Sequence, residues 1–183
     1  MKAIMYHYVR ELVETRFEEI RGLNLSFFRN QIAYLDRYYE FVTVEDCLEA
    51  ISGGLELPAN AALLTFDDGY IDHYKYVFPY LSKKKITASF YPSTKAIENK
   101  IVLDINKIHF ILEKEQNRKL ILKEIDNYLL KEKLKPLSEQ NLSRINLKHR
   151  YDDRDIILIK GLLQFFLPEK LREKIINFLF AKI

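Results

Sequence analysis

One cysteine, no tryptophan and almost no excess charge leave this 183-residue sequence short of several common functional signals. Cys47 is alone, so the chain forms no internal disulfide and offers no second thiol for a CxxC metal site. The expectation for Cys47 is a helix-packing position. Charge of one sign is lacking too: 29 lysines and arginines against 26 aspartates and glutamates leave a net charge of +3. A field that weak draws neither nucleic acid nor an anionic membrane, and no nucleic-acid partner is expected. No apolar run approaches the ~20 residues needed to cross a bilayer, so no transmembrane segment is expected. The opening "MKAIMYHYVRELVE" has a polar Tyr-His-Tyr where a secretory signal carries its apolar stretch, and no small-residue cleavage site follows. That pattern predicts a cytoplasmic chain. "IINFLFAKI" stops on an apolar residue with no glycine, proline or polar tail, and reads as cut rather than finished.

What is present is a globular composition, 48% apolar, with no internal repeat and no low-complexity stretch. "AIMYHYV" (3–9) is rich in aromatic and β-branched residues and predicts a strand. "SFFRNQIAYLDRYY" (26–39) sets Phe27, Ile32, Leu35 and Tyr39 at helical spacing behind Ser26, a suitable cap. "FVTV" is a short strand, "EDCLEAISGG" a helix ended by two glycines, and "ALLTF" (62–66) a near-continuous apolar strand, as in a parallel sheet covered on both faces. "YIDHYKYVFPYLSKKK" resumes a helical pattern and "ITASFYPS" adds a strand. Strand and helix thus alternate through residue 94, which predicts parallel βα units and an α/β fold. Residues 95–183 carry no second convincing strand and read as charged amphipathic helices, including "NKIHFILEKEQNRKLILKEIDNYLLKEK" and a last helix with Pro168 in its first turn.

The chemistry concentrates at "TFDDGY". Side chains at the carboxyl end of a parallel strand face the crevice where α/β proteins place ligands, and Asp67 and Asp68 stand there. Successive residues of a strand point in different directions, so the two carboxylates suit two tasks: one holds a cation while the other takes a proton. Gly69 permits a tight turn and a close approach. The plain alternative is that one aspartate caps the helix starting near Tyr70, which leaves the other unexplained. A phosphotransferase of the haloacid dehalogenase type needs Asp-x-Asp, and positions 65 and 69 are threonine and glycine.

"LLTFDDGY" (63–70) resembles the first motif of the polysaccharide deacetylases, carbohydrate esterase family 4; "IMYHYV" (4–9) and "TASFYPS" (87–93) are similar to flanking strands of that family, and the helical stretch resembles an insertion of one bacterial branch. The resemblance implies a metal-dependent hydrolase that removes N-acetyl groups from sugars of a polysaccharide. It implies the N-terminal part of a distorted (β/α) barrel over 1–94, with a helical insertion or extension over 95–183. It also implies Asp67 as catalytic base, Asp68 as ligand of a divalent metal, zinc by expectation, and His7 as general acid. Tyr70 is the expected substrate contact, and Tyr6, Tyr8 and Tyr91 are further candidates for stacking on a sugar ring. The family's second motif, His-Ser/Thr-x-x-His, is absent: of His7, His73, His109 and His149, no two lie four residues apart. Catalytic zinc ordinarily takes three protein ligands. The expectation is therefore half a site, either belonging to a longer polypeptide, completed by a second copy, or surviving as a catalytically inactive carbohydrate-binding or interaction module. Roughly four strands do not close a barrel, and the open edges invite a partner. His73 reads as a helix-surface residue, with reach toward a metal as the alternative; His109 lies on an apolar helix face and His149 in a basic loop. Asp152 and Asp153 read as a helix cap and a partner of the helix dipole.

Overall fold

The computed structural model describes residues 1–13, 16–18, 20–137 and 152–183. They form two compact units, Met1–Lys100 and Ile101–Ile183.

The first unit is built on a parallel sheet. Strand β5 (Ala61–Asp68) lies at its centre, β1 (Lys2–Tyr6) pairs along one side, and β4 (Glu40–Phe41) and β6 (Ser89–Pro92) pair with the beginning and the end of β5. Two short strands, β2 (Val9–Arg10) and β3 (Leu23–Asn24), form a separate parallel pair. The apolar run of β5 explains its central place, but its two faces differ. Ala62, Leu64 and Phe66 are fully buried, whereas Leu63 and Thr65 on the opposite face are only half-buried. Strand β5 also runs two residues beyond the expected "ALLTF", so both aspartates belong to it.

Helix α1 (Leu25–Tyr38) covers the buried face with Leu25, Phe28, Ile32 and Leu35, the i, i+3, i+4 spacing of one helical stripe. The stripe is one residue out of phase with the expectation at its start: Phe28 is inside and Phe27 is 64% exposed. The cap also moves, because Asn24, not Ser26, accepts from the backbone N–H of Ser26 at 2.9 Å. Helix α2 (Val44–Ile51) begins with a reciprocal capping box between Thr43 and Asp46, which ends β4 before the expected "FVTV" can extend. Cys47 on α2 packs with Val42 and Ala61, in the helix-packing place expected of it. After β5 the chain makes one turn of π-helix, His73–Val77, then α3 (Phe78–Lys84), closed by Lys85 in the left-handed region. Helix α4 (Thr94–Asn99) follows β6 and completes this unit.

The second unit is helical throughout its described residues. Helices α5 (Asp104–Lys114), α6 (Arg118–Lys131), α7 (Arg154–Gly161, continued by a π turn over Leu162–Phe166) and α8 (Glu169–Phe180) bury Ile108, Ile125, Ile159, Leu162 and Ile175 in one core. "NKIHFILEKEQNRKLILKEIDNYLLKEK" is thus two helices and not one. Arg118 accounts for the break, since its guanidinium donates to the carbonyls of Leu112 and Glu115 and satisfies the end of α5. Asp153 caps α7 by accepting from the N–H of Ile156 at 2.9 Å, while Asp152 pairs with Lys160 at 2.7 Å. Pro168 stands just ahead of α8, one position earlier than expected. Among the described residues no helix is long and apolar enough to cross a membrane.

Candidate active site

Because β1, β5 and β6 run in one direction, their carboxyl ends meet on one rim of the sheet. Tyr6 pairs with Phe66, so His7 follows alongside Asp67. The His7 Nδ1 lies 3.8 Å from Asp67 Oδ2, and the two side chains are 48% and 30% exposed. An imidazole and a carboxylate at that separation attract when the imidazole is protonated, and both remain open to a ligand from solvent. The same nitrogen is 3.1 Å from the carbonyl of Tyr6.

Asp68 faces another way. Its backbone is left-handed, φ +71°, followed by Gly69 at φ +69°. The turn carries its carboxylate to Tyr70, whose hydroxyl donates to Asp68 Oδ2 at 2.6 Å. A Cβ on Gly69 would stand 2.6 Å from Pro92 Cβ and 2.8 Å from Pro92 Cα, so glycine is required both by the backbone angle and by the closeness of β6. Neither aspartate serves as the cap of the next helix; Asp72 holds that place without a side-chain cap bond. The division of the two carboxylates between two directions is as the strand geometry anticipates.

Tyr70 stacks on Tyr8, ring centroids 4.2 Å apart, and the Arg10 guanidinium lies 4.7 Å above Tyr8. Burial, then the hydrogen bonds to Asp68 and Tyr8, push the Tyr70 hydroxyl far above the ordinary tyrosine value. It therefore keeps its proton and acts as a donor toward Asp68. Tyr6 and Tyr8 are buried and unavailable to a sugar ring: Tyr6 stacks on Phe66 at 5.0 Å, and burial pushes its hydroxyl up to about 12. Tyr91, in register with Asp67 on β6, is exposed.

Two contacts were invisible in the sequence. Arg10 binds Asp72, with Nε 2.7 Å and Nη2 2.6 Å from Oδ2. His73, expected on the helix surface, is 3% exposed and its Nε2 lies 2.7 Å from the carbonyl oxygen of His7. The only local sign was a charged Arg10 beside buried Val9 and an Asp-His pair between tyrosines. His109 belongs to the second unit, half-buried on α5, and His149 lies outside the described residues.

The donor set does not fit a complete metal site. Among the described residues no group of three histidine, cysteine or acidic side chains converges, and Asp68 already accepts from Tyr70. Catalytic zinc ordinarily takes three protein ligands.

A histidine 3.8 Å from one carboxylate, with a second carboxylate beside it at the carboxyl ends of parallel strands, occupies the place where α/β proteins bind ligands. The sequence profile of the polysaccharide deacetylase family matches residues 55–135, which include Asp67, Asp68, Tyr70 and His73. Over this segment the chain is similar to that family. His7 lies outside the segment, and its association with the acidic pair is a result of the fold. The poly-beta-1,6-N-acetyl-D-glucosamine N-deacetylase of Escherichia coli K12 is 42% identical over 81 residues, covering 43% of this chain and 12% of that protein. The chain thus matches about an eighth of the length of this curated relative. Among solved structures, a de-N-acetylase from Aggregatibacter actinomycetemcomitans is 26% identical, TM-score 0.43, over 49% of this chain and 36% of its own. IcaB from Ammonifex degensii is 31% identical, TM-score 0.41, over 49% and 37% respectively.

Proposed function

We propose that this chain contributes to the hydrolysis of N-acetyl groups on the sugars of a polysaccharide. The approach of His7 to Asp67 at the carboxyl rim carries the reading. Amide hydrolysis needs a group that removes a proton from the attacking water and a group that gives a proton to the departing amine, both within reach of one carbon. Asp67 is assigned the first task and His7 the second. Water adds to the acetamide carbonyl as Asp67 takes its proton, the C–N bond breaks, and the amine leaves with a proton from His7. Tyr91, exposed beside Asp67, and Tyr70, beside Asp68, flank the approach of the sugar.

Within this reading the four-stranded sheet is the N-terminal part of a distorted (β/α) barrel and the helical unit is an insertion or extension of it. Asp68 is the residue assigned to a divalent cation, zinc by preference, and further ligands must come from groups beyond those that converge among the described residues. The substrate class is an N-acetylated polysaccharide or oligosaccharide, as the name of the Escherichia coli relative suggests.

That incomplete donor set favours a second reading, a carbohydrate-binding module without activity. Acetate release from an N-acetylglucosamine oligosaccharide separates the two. Release by the unmodified chain that is lost in Asp67→Asn while sugar binding persists supports the hydrolase; binding with no release from the unmodified chain supports the module.

A further inference from the structure

His7 is the first residue beyond β1 and has no regular structure of its own to fix it. Its Nδ1 lies 3.1 Å from the Tyr6 carbonyl, and further contacts come from the chain that follows β5. The chain around His7 is bonded twice to the start of the helix that follows the acidic pair: His73 Nε2 meets the His7 carbonyl at 2.7 Å, and Asp72 holds Arg10 at 2.6 Å. The partners are 66 and 62 residues apart in sequence. Both Asp72 and His73 are buried. The His73 ring is confined by Phe66 at 5.4 Å, Tyr70 at 5.5 Å and Phe90 at 6.1 Å, so it presents Nε2 to the carbonyl in one orientation.

We propose that His73 is a positioning residue of the candidate site: its Nε2–H holds the His7 backbone carbonyl and thereby sets the His7 imidazole against Asp67. The inference rests on the reading of His7 and Asp67 as the proton-transfer pair. A carbonyl can only accept, which assigns the proton to Nε2 and leaves Nδ1 bare. That nitrogen is buried and has no hydrogen-bond partner among the described residues, so a second proton there would create an unsupported buried cation. Arg10 with Asp72, and the Leu23 N–H donating to the Tyr8 carbonyl at 2.8 Å, fix the chain beyond His7, whereas His73 acts on the His7 peptide itself. The position also sits at the first residue of the π turn, the irregular geometry that recurs at functional sites.

The test uses the whole 183-residue chain. A long-range proton–nitrogen NMR spectrum of the histidine rings gives the tautomer of His73, and His7 ring resonances are compared among the unmodified chain, Asp67→Asn, His73→Phe and His73→Gln. Phenylalanine keeps the ring contacts and removes the donor; glutamine restores an N–H at similar reach. The expected result is the Nε2–H tautomer, a displacement of the His7 resonances in His73→Phe in the direction seen in Asp67→Asn, and recovery in His73→Gln. On an N-acetylated oligosaccharide the same substitution lowers kcat about tenfold to a hundredfold with KM little changed, and glutamine recovers most of the loss. An Nδ1–H tautomer overturns the proposal, and needs no variant to fold. So do His7 resonances unmoved in a folded His73→Phe, or unmoved in Asp67→Asn. Absence of acetate release from every form, with the tautomer and the displacements as expected, refutes the hydrolase reading and leaves the positioning intact.

Discussion

Replacing Gly69 by alanine tests the architecture of the acidic pair most directly, because two independent costs fall on one methyl group. The backbone angle, φ +69°, is left-handed, which costs a residue with a Cβ roughly 1–2 kcal/mol. The methyl carbon would also stand 2.6 Å from Pro92 Cβ and 2.8 Å from Pro92 Cα. Ordinary carbon contacts are about 3.5–4.0 Å, so the overlap approaches ~1 Å. One of the obstructing atoms is backbone, in register opposite Asp68, so relief requires the ends of β5 and β6 to part. Overpacking of that kind costs about 1–3 kcal/mol, and the loss of glycine's freedom in the unfolded chain returns about 0.4–1 kcal/mol. The net expectation is a loss of about 2–4 kcal/mol from the first unit. Gly53→Ala supplies the control: its φ is +81°, but nothing lies within 4 Å of the added carbon, so only the backbone term applies. Urea unfolding followed by tyrosine fluorescence reads the right unit, since ten of the twelve tyrosines precede residue 101. The reasoning is refuted if Gly69→Ala costs no more than Gly53→Ala.

Burial holds the His73 imidazole below its ordinary value, so the unfolded chain binds the extra proton first and stability is lost as pH falls through 6.5 toward the folded value. The urea midpoint should accordingly drop between pH 7.5 and 5.5, and His73→Phe should flatten that slope; an equal slope in both proteins counts against a buried neutral ring. Tyr70→Phe keeps the stack on Tyr8 while removing the donor to Asp68, with an expected loss of about 1–3 kcal/mol in urea unfolding. In the second unit Asp153→Ala removes the cap of α7 and should cost about 1 kcal/mol by far-ultraviolet circular dichroism melts, and Ile159→Ala, in the fully buried core, about 2–5 kcal/mol.

The parts of the fold legible in the sequence are those decided locally by an unambiguous pattern. "ALLTF" is near-continuously apolar, and the carboxyl rim follows from placing the aspartates at that end, although β5 runs on through both of them. The acidic pair Asp152 and Asp153 was readable as the start of α7, and Asp153 is the member that caps it. Where two neighbours offer the same chemistry, the sequence is silent on which prevails. Phe27 and Phe28 both suit the face of α1, and the packing of Phe28 against Tyr6 and Phe66 decides between them. Asn24 displaces Ser26 as the cap for the same reason. The break between α5 and α6 carries neither glycine nor proline, and it is a side chain, Arg118, that ends the first helix. His73 was the largest omission at the site. Its partner is a backbone carbonyl 66 positions away, and a backbone acceptor leaves no mark on the composition around it.

The solitary thiol has a practical consequence. Cys47 is buried on α2 against Val42 and Ala61, with its sulfur 3.3 Å from that of Met1. A thiol-specific reagent can reach it only when α2 lifts from the beginning of β5, and no other sulfhydryl in the chain consumes reagent. The labelling rate, relative to that of a free thiol, is therefore a direct clock for local opening at the amino-terminal rim of the sheet. Run beside the fluorescence melt, that clock separates fraying at this rim from collapse of the opposite rim, where the acidic pair stands.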